Sequence, residues 1–291
     1  MSDTHDKEID AITGTATTGH DWDGIKELNT PLPRWWLWTF YACILFALGY
    51  TVVYPAWPMI SSATTGVLGY SSRAELDKDL AAAAAAQGDR IAQVAATPVA
   101  DILNDEELTR FASAGGKSLF KVYCSQCHGT GATGAVGYPN LNDDEWIWGG
   151  SIEQIYQTIT HGARSDLDGD THYNIMPNFG IDGMLTTAEI ETVSKEVASF
   201  SGIEGGAASE EGAQLFADNC ASCHGEKGVG MPDIGGPSLV DQIWLYQGTL
   251  KAIEAQVTQP RHGVMPAWGA RLGDTAVKEL AVYIHGLGGG Q

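Results

Sequence analysis

The chain has 291 residues, enough for about two ordinary domains. A hydrophobic fraction of 44% excludes wholesale disorder. The formal net charge of −20, from 36 acidic against 16 basic residues, argues against nucleic acid and other polyanionic ligands. It favours basic partners, whose docking weakens as salt rises.

Residues 1–34 read as a polar N-terminal arm containing Pro31 and Pro33, expected to be poorly ordered. Residues 35–54 (WWLWTFYACILFALGYTVVY) then run without a charge, and a helix of that length spans about 30 Å, the thickness of a hydrocarbon core. Trp35, Trp36 and Trp38 cluster at one end, with Tyr54 and Trp57 at the other, as interfacial aromatic belts do. Pro55 and Pro58 stop the helix. A cleaved signal peptide would need a basic leader and a shorter apolar region nearer the start. A buried soluble helix is rarely apolar on every face for so long. A retained single span is the expectation. Lys26 and Arg34 precede it and the next basic residue is Arg73, a bias that puts the N-terminus in the cytoplasm.

Residues 55–110 read as a helical linker, rich in alanine from Ala81 to Ala86. Asp105, Glu106 and Glu107 suit the first turn of a further helix.

The remainder is an internal repeat. Residues 116–141 (GKSLFKVYCSQCHGTGATGAVGYPNL) match residues 212–239 (GAQLFADNCASCHGEKGVGMPDIGGPSL), each followed by a tryptophan-bearing stretch and, later, a Met-Pro pair. The hinge at 201–209 is rich in Gly, Ala and Ser. Helices are expected at 152–160, at 187–200 after Thr186 or Thr187 as cap, and near 274–285. The fold class is therefore mainly α: one N-terminal transmembrane helix, then two tandem small domains at 111–203 and 207–291.

Cys124, Cys127 and His128 form one C-x-x-C-H motif; Cys220, Cys223 and His224 form the other. This is the attachment signature of c-type haem: two thiols bond one edge of the macrocycle, and the adjacent histidine is the proximal iron ligand. The macrocycle fills the interior of a domain too small for a large core of its own. Tetrahedral zinc would need four ligands per site, and a redox CxxC pair a thioredoxin-like βαβ pattern that the sequence lacks. The fifth cysteine, Cys43, sits in the apolar span as a small hydrophobe.

Met176 and Met265, each just before a proline, are the candidate distal ligands; thioether ligation raises the reduction potential and closes the iron to oxygen. His161, His172 and Met184 compete with Met176, and a bis-histidine first haem is the alternative. Pro139 and Pro237 offer carbonyls to the proximal histidines. Arg164 and Arg261 read either as propionate partners or as solvated surface. Trp146, Trp148 and Trp244 read as packing around the macrocycle.

The whole chain resembles the CcoP/FixP family, the membrane-anchored dihaem subunits of cbb3-type cytochrome c oxidases. The resemblance is strongest in DWDGIKELNTPLPRWWLWTFY, YPAWP, GYPNLNDDEWIWGG and MPNFGIDGML. It implies two class I-like cytochrome c domains carrying two covalent haems c. Cys124, Cys127 and His128 would hold the first haem with Met176 opposite. Cys220, Cys223 and His224 would hold the second with Met265 opposite. It further implies an inner-membrane subunit with periplasmic haem domains, not itself catalytic. Electrons would come from a periplasmic cytochrome c or a quinol-oxidising complex and pass through a monohaem subunit to the haem–copper catalytic subunit. One span cannot supply the intramembrane histidines of a haem–copper site. A free-standing dihaem carrier and a dihaem peroxidase are the alternatives; the peroxidase needs an open iron position.

Overall fold

The computed structural model describes residues 8–289 and divides into two compact units, one ending at Ala85 and one beginning at Ala86. The first seven residues of the N-terminal arm lie outside the described residues.

In the first unit the rest of the arm departs from the expected disorder. Strands β1 (Thr17–Trp22) and β2 (Ile25–Leu28) pair antiparallel. The link is Asp23-Gly24, both residues at positive φ (53° and 91°), the two-residue turn chemistry that closes a tight hairpin. Helix α1 (Arg34–Val53) follows. Its mean hydropathy is 1.7 and none of its residues is buried, so its length and composition suit a membrane crossing. Tyr54 is extended, as the residue before a proline tends to be.

Helix α2 (Ser72–Ala96) fulfils the alanine-rich expectation, and the rest of the chain is helical among the described residues. In order come α3 (Val99–Ile102), α4 (Glu106–Tyr123), α5 (Ser125–His128), α6 (Ile152–His161) and α7 (Thr187–Phe200). The second copy supplies α8 (Glu210–Asn219), α9 (Ala221–His224), α10 (Leu250–Thr258), α11 (Gly269–Leu272) and α12 (Asp274–His285). Local chemistry sets the starts. Asp105 caps α4 by accepting from the Glu107 and Leu108 amides, and Ser151 with Gln154 and Thr186 with Glu189 form capping boxes on α6 and α7.

The core faces are helical stripes. Leu108, Ala112, Gly116 and Phe120 are the buried residues of α4; Val277, Leu280, Ala281 and Ile284 are among those of α12. These two helices pack together, with α6 beside them, in one core. A side chain at Gly116 would run into the backbone of Glu279, and Phe120 meets Tyr283 with ring centroids 5.5 Å apart. The other core joins α7, α8 and α10. There a side chain at Gly212 would meet Glu196, and Phe216 packs edge-on to Phe200 at 5.1 Å.

The two cores therefore do not follow the contiguous ranges 111–203 and 207–291. Each copy's first helix packs on the other copy's last helix, so the terminal segments are exchanged reciprocally. Ala163 and Met265 pair in an isolated antiparallel bridge, where the N–H of each donates to the other's carbonyl (3.0 and 2.9 Å).

Candidate functional site

Each CxxCH motif is one helical turn that continues from a longer helix. Cys124 caps α4, and the amides of Cys127 and His128 donate to its carbonyl at 3.1 and 3.0 Å. Cys220 ends α8 in the same way, with the Cys223 and His224 amides at 3.1 and 2.9 Å. Gly129 and Gly225 then turn the chain at φ 79° and 81°, where a side chain would be strained. The returning loop passes so close to the second motif that a side chain at Gly236 would collide with the Cys223 carbonyl.

The loops also orient the histidines. His128 Nδ1 donates to the Pro139 carbonyl at 3.0 Å and His224 Nδ1 to the Pro237 carbonyl at 2.9 Å. A carbonyl can only accept, so Nδ1 carries the proton and Nε2 keeps its lone pair, the form in which imidazole binds a metal. Burial lowers the pKa of both histidines, which favours that neutral form. Burial, with the neighbouring thiol second, pushes Cys124 and Cys220 up to about 11. These are protonated thiols in apolar surroundings, not free thiolates.

An apolar cleft of about 1270 Å³, its open mouth included, lies over Cys124, Cys127 and His128. Trp146, Trp148, Ile155, Ile159, Leu280 and Met265 line it. The methionine here corrects the pairing expected from the sequence. Met265, from the second copy, faces the first motif, while Met176 packs in the core that holds Cys220. The reason is the exchange of last helices, since each methionine rides on the loop that leads into one of them.

None of His161, His172 and Met184 lines the cleft. His161 Nδ1 donates to the Asp168 carboxylate at 3.0 Å. His172 stacks on Trp148 with centroids 4.4 Å apart and is 3.1 Å from Thr158 Oγ1. Met184 is exposed. Arg164 lines the cleft, with its Cζ 5.9 Å from the Trp148 ring centre; Arg261 lies 4.2 Å over Tyr246.

The residues present fit a macrocycle in both cores. In the second, the Trp244 indole N–H is buried without a partner, and an acceptor such as a propionate would satisfy it. Its counterpart Trp146 donates to the Gly289 carbonyl at 2.5 Å.

Glu145, on the cleft wall, carries a proton near neutrality. Burial first, then the Asp241, Asp144 and Asp143 carboxylates, push it up to about 7 from an ordinary 4.5. A raised carboxyl pKa stabilises the fold most below the unfolded value, and that contribution is lost as pH rises through the folded one. The contribution of Glu145 to stability should fall between about pH 4.5 and 7. The melting temperature of wild type minus that of Glu145→Gln should decline across that range, as paired thermal scans will show.

The helical fold with its duplicated motif defines a c-type cytochrome built as a tandem repeat, preceded by one helix apolar enough to cross a membrane. Residues 112–195 and 207–284 match the family model described as cytochrome c oxidase, cbb3-type, subunit III, and residues 14–61 match the N-terminal domain of cytochrome oxidase-cbb3, FixP. The chain is 53% identical to the cbb3-type cytochrome c oxidase subunit FixP of Sinorhizobium medicae, covering all of both chains. It is 50% identical to subunit CcoP of Cereibacter sphaeroides, covering 94% of this chain and 95% of that one. The chain belongs to the FixP/CcoP family of cbb3-type cytochrome c oxidase subunits.

Proposed function

We propose that this oxidase subunit carries two haems c, one on each CxxCH turn, and relays electrons through them to an oxygen-reducing partner without reducing oxygen itself. The observation that carries this reading is the duplicated arrangement of two cysteines, a histidine held by a proline carbonyl, and a methionine in the same core. Bound haem supplies a reversible one-electron couple. The chain's residues do the rest. Cys124, Cys127, Cys220 and Cys223 tether the macrocycles, and His128 and His224 present Nε2 to the iron. Met265 serves the first haem and Met176 the second. Thioether ligation raises the potential and leaves no position for oxygen or peroxide, which speaks against a peroxidase. The apolar walls exclude water.

Helix α1 anchors the chain, with the arm cytoplasmic by the Lys26 and Arg34 bias and the haem-bearing unit periplasmic. The partners are the haem–copper and monohaem subunits of the oxidase. A basic cytochrome c would suit the net charge of −20 as donor.

Intact mass and a pyridine haemochrome assay test the cofactor count. The full chain should carry two porphyrin masses, and C124A/C127A and C220A/C223A should each lose one. A wild-type chain with no porphyrin mass would overturn the proposal.

A further inference from the structure

The exchange of terminal segments brings the two methionine loops together, and one side chain joins them. Arg164 follows Ala163, the residue bridged to Met265. Its backbone is left-handed, at φ 53°, a region that a non-glycine residue occupies only when its surroundings hold it there. Its N–H donates to the His172 carbonyl at 2.8 Å. Its guanidinium is half-buried and divides its donors: Nε bonds the Gly263 carbonyl at 2.6 Å, and Nη1 the Asn174 carbonyl at 3.0 Å. Gly263 stands two residues before Met265, and Asn174 two residues before Met176. A further bond closes the set, the Met176 N–H donating to His262 Nε2 at 3.0 Å.

We infer that Arg164 is a positioning residue for both distal methionines, a single clamp that fixes two ligand loops serving different cores. This rests on the assignment of Met265 and Met176 as iron ligands. The planar fork is what the role requires. Arginine offers five donors in fixed directions and can hold two carbonyls at once, whereas the lysine ammonium is a compact point charge on a flexible stem. Its charge has a separate effect, since a nearby cation disfavours the oxidised, more positive iron. Charge and geometry are therefore separable by substitution.

The test uses the full-length, haem-loaded chain in detergent, as wild type, Arg164→Gln and Arg164→Lys. The readouts are the methionine-to-iron charge-transfer absorption of the ferric form and the two midpoint potentials from a redox titration. In the wild type the absorption should be present at both haems. Both variants should lose absorption at both haems and shift both potentials negative. Arg164→Lys does so although it keeps the charge. If Arg164→Lys keeps the wild-type absorption and potentials, only the charge matters and the clamp is overturned. A change confined to one haem also overturns it, since the residue would then serve a single loop. Absence of the absorption from the wild type would instead sink the ligand assignment, and the clamp with it. Should Arg164→Gln fail to accumulate, Arg164→Lys decides alone.

Discussion

Met265→Leu should strip the methionine ligand from the haem on Cys124 and Cys127, although the substituted residue lies in the other copy of the repeat. The cleft over the first motif contains Met265 and not Met176; Met176 packs with Cys220. The cleanest measurement uses chains with one haem. In C220A/C223A, which retains the first haem, Met265→Leu should abolish the methionine-to-iron absorption and lower the potential, because thioether ligation is what raises it. Met176→Leu should leave both unchanged. In C124A/C127A the two outcomes should trade places. A contiguous arrangement of ligands would give the opposite pattern, so one pair of spectra distinguishes them.

The second large effect is on stability, and it crosses the repeat in the same way. Leu280 on α12 is fully buried, in the core that holds α4 and α6. Leu280→Ala leaves a cavity costing about 2–5 kcal/mol. At about 2–4 °C per kcal/mol for a unit of 150–250 residues, the melting temperature should fall by several degrees or more. The injury should register at the first haem, since Leu280 also lines its cleft. Val193→Ala, in the fully buried stripe of α7, should disturb the second haem instead. Melting curves read at each haem's absorption will show which site loosens first.

Much of this was legible because it is written locally. The CxxCH turns are short-range chemistry, and the uninterrupted apolar run of α1 needs no tertiary knowledge. The helices at 152–160 and 187–200 carry their own caps, that at 274–285 its periodicity, and the structure places all three within a residue or so. The pairing of helices was not legible, because two copies of one pattern offer two equivalent partners for every first helix. One signal pointed the right way. Only residues 201–209 separate α7 from α8, and short helix–helix connections favour packing of the two neighbours. The arm was misjudged for a different reason. Its polar composition and terminal position suggested disorder, while the Asp23-Gly24 turn between Trp22 and Ile25 specified a hairpin. His161 and His172 looked like ligands because histidines near a haem motif are conspicuous, but a carboxylate and an indole ring respectively engage them.

The reciprocal exchange also bears on biogenesis. Synthesis runs from the N-terminus, so Cys124 and Cys127 are made well before the helix that covers them and the methionine that faces them. Until Asp274–His285 arrives, the cleft over the first motif has only part of its wall. Such long-range closure slows folding relative to two independent beads. It also means that a nonsense mutation late in the gene should cripple the site at the first motif.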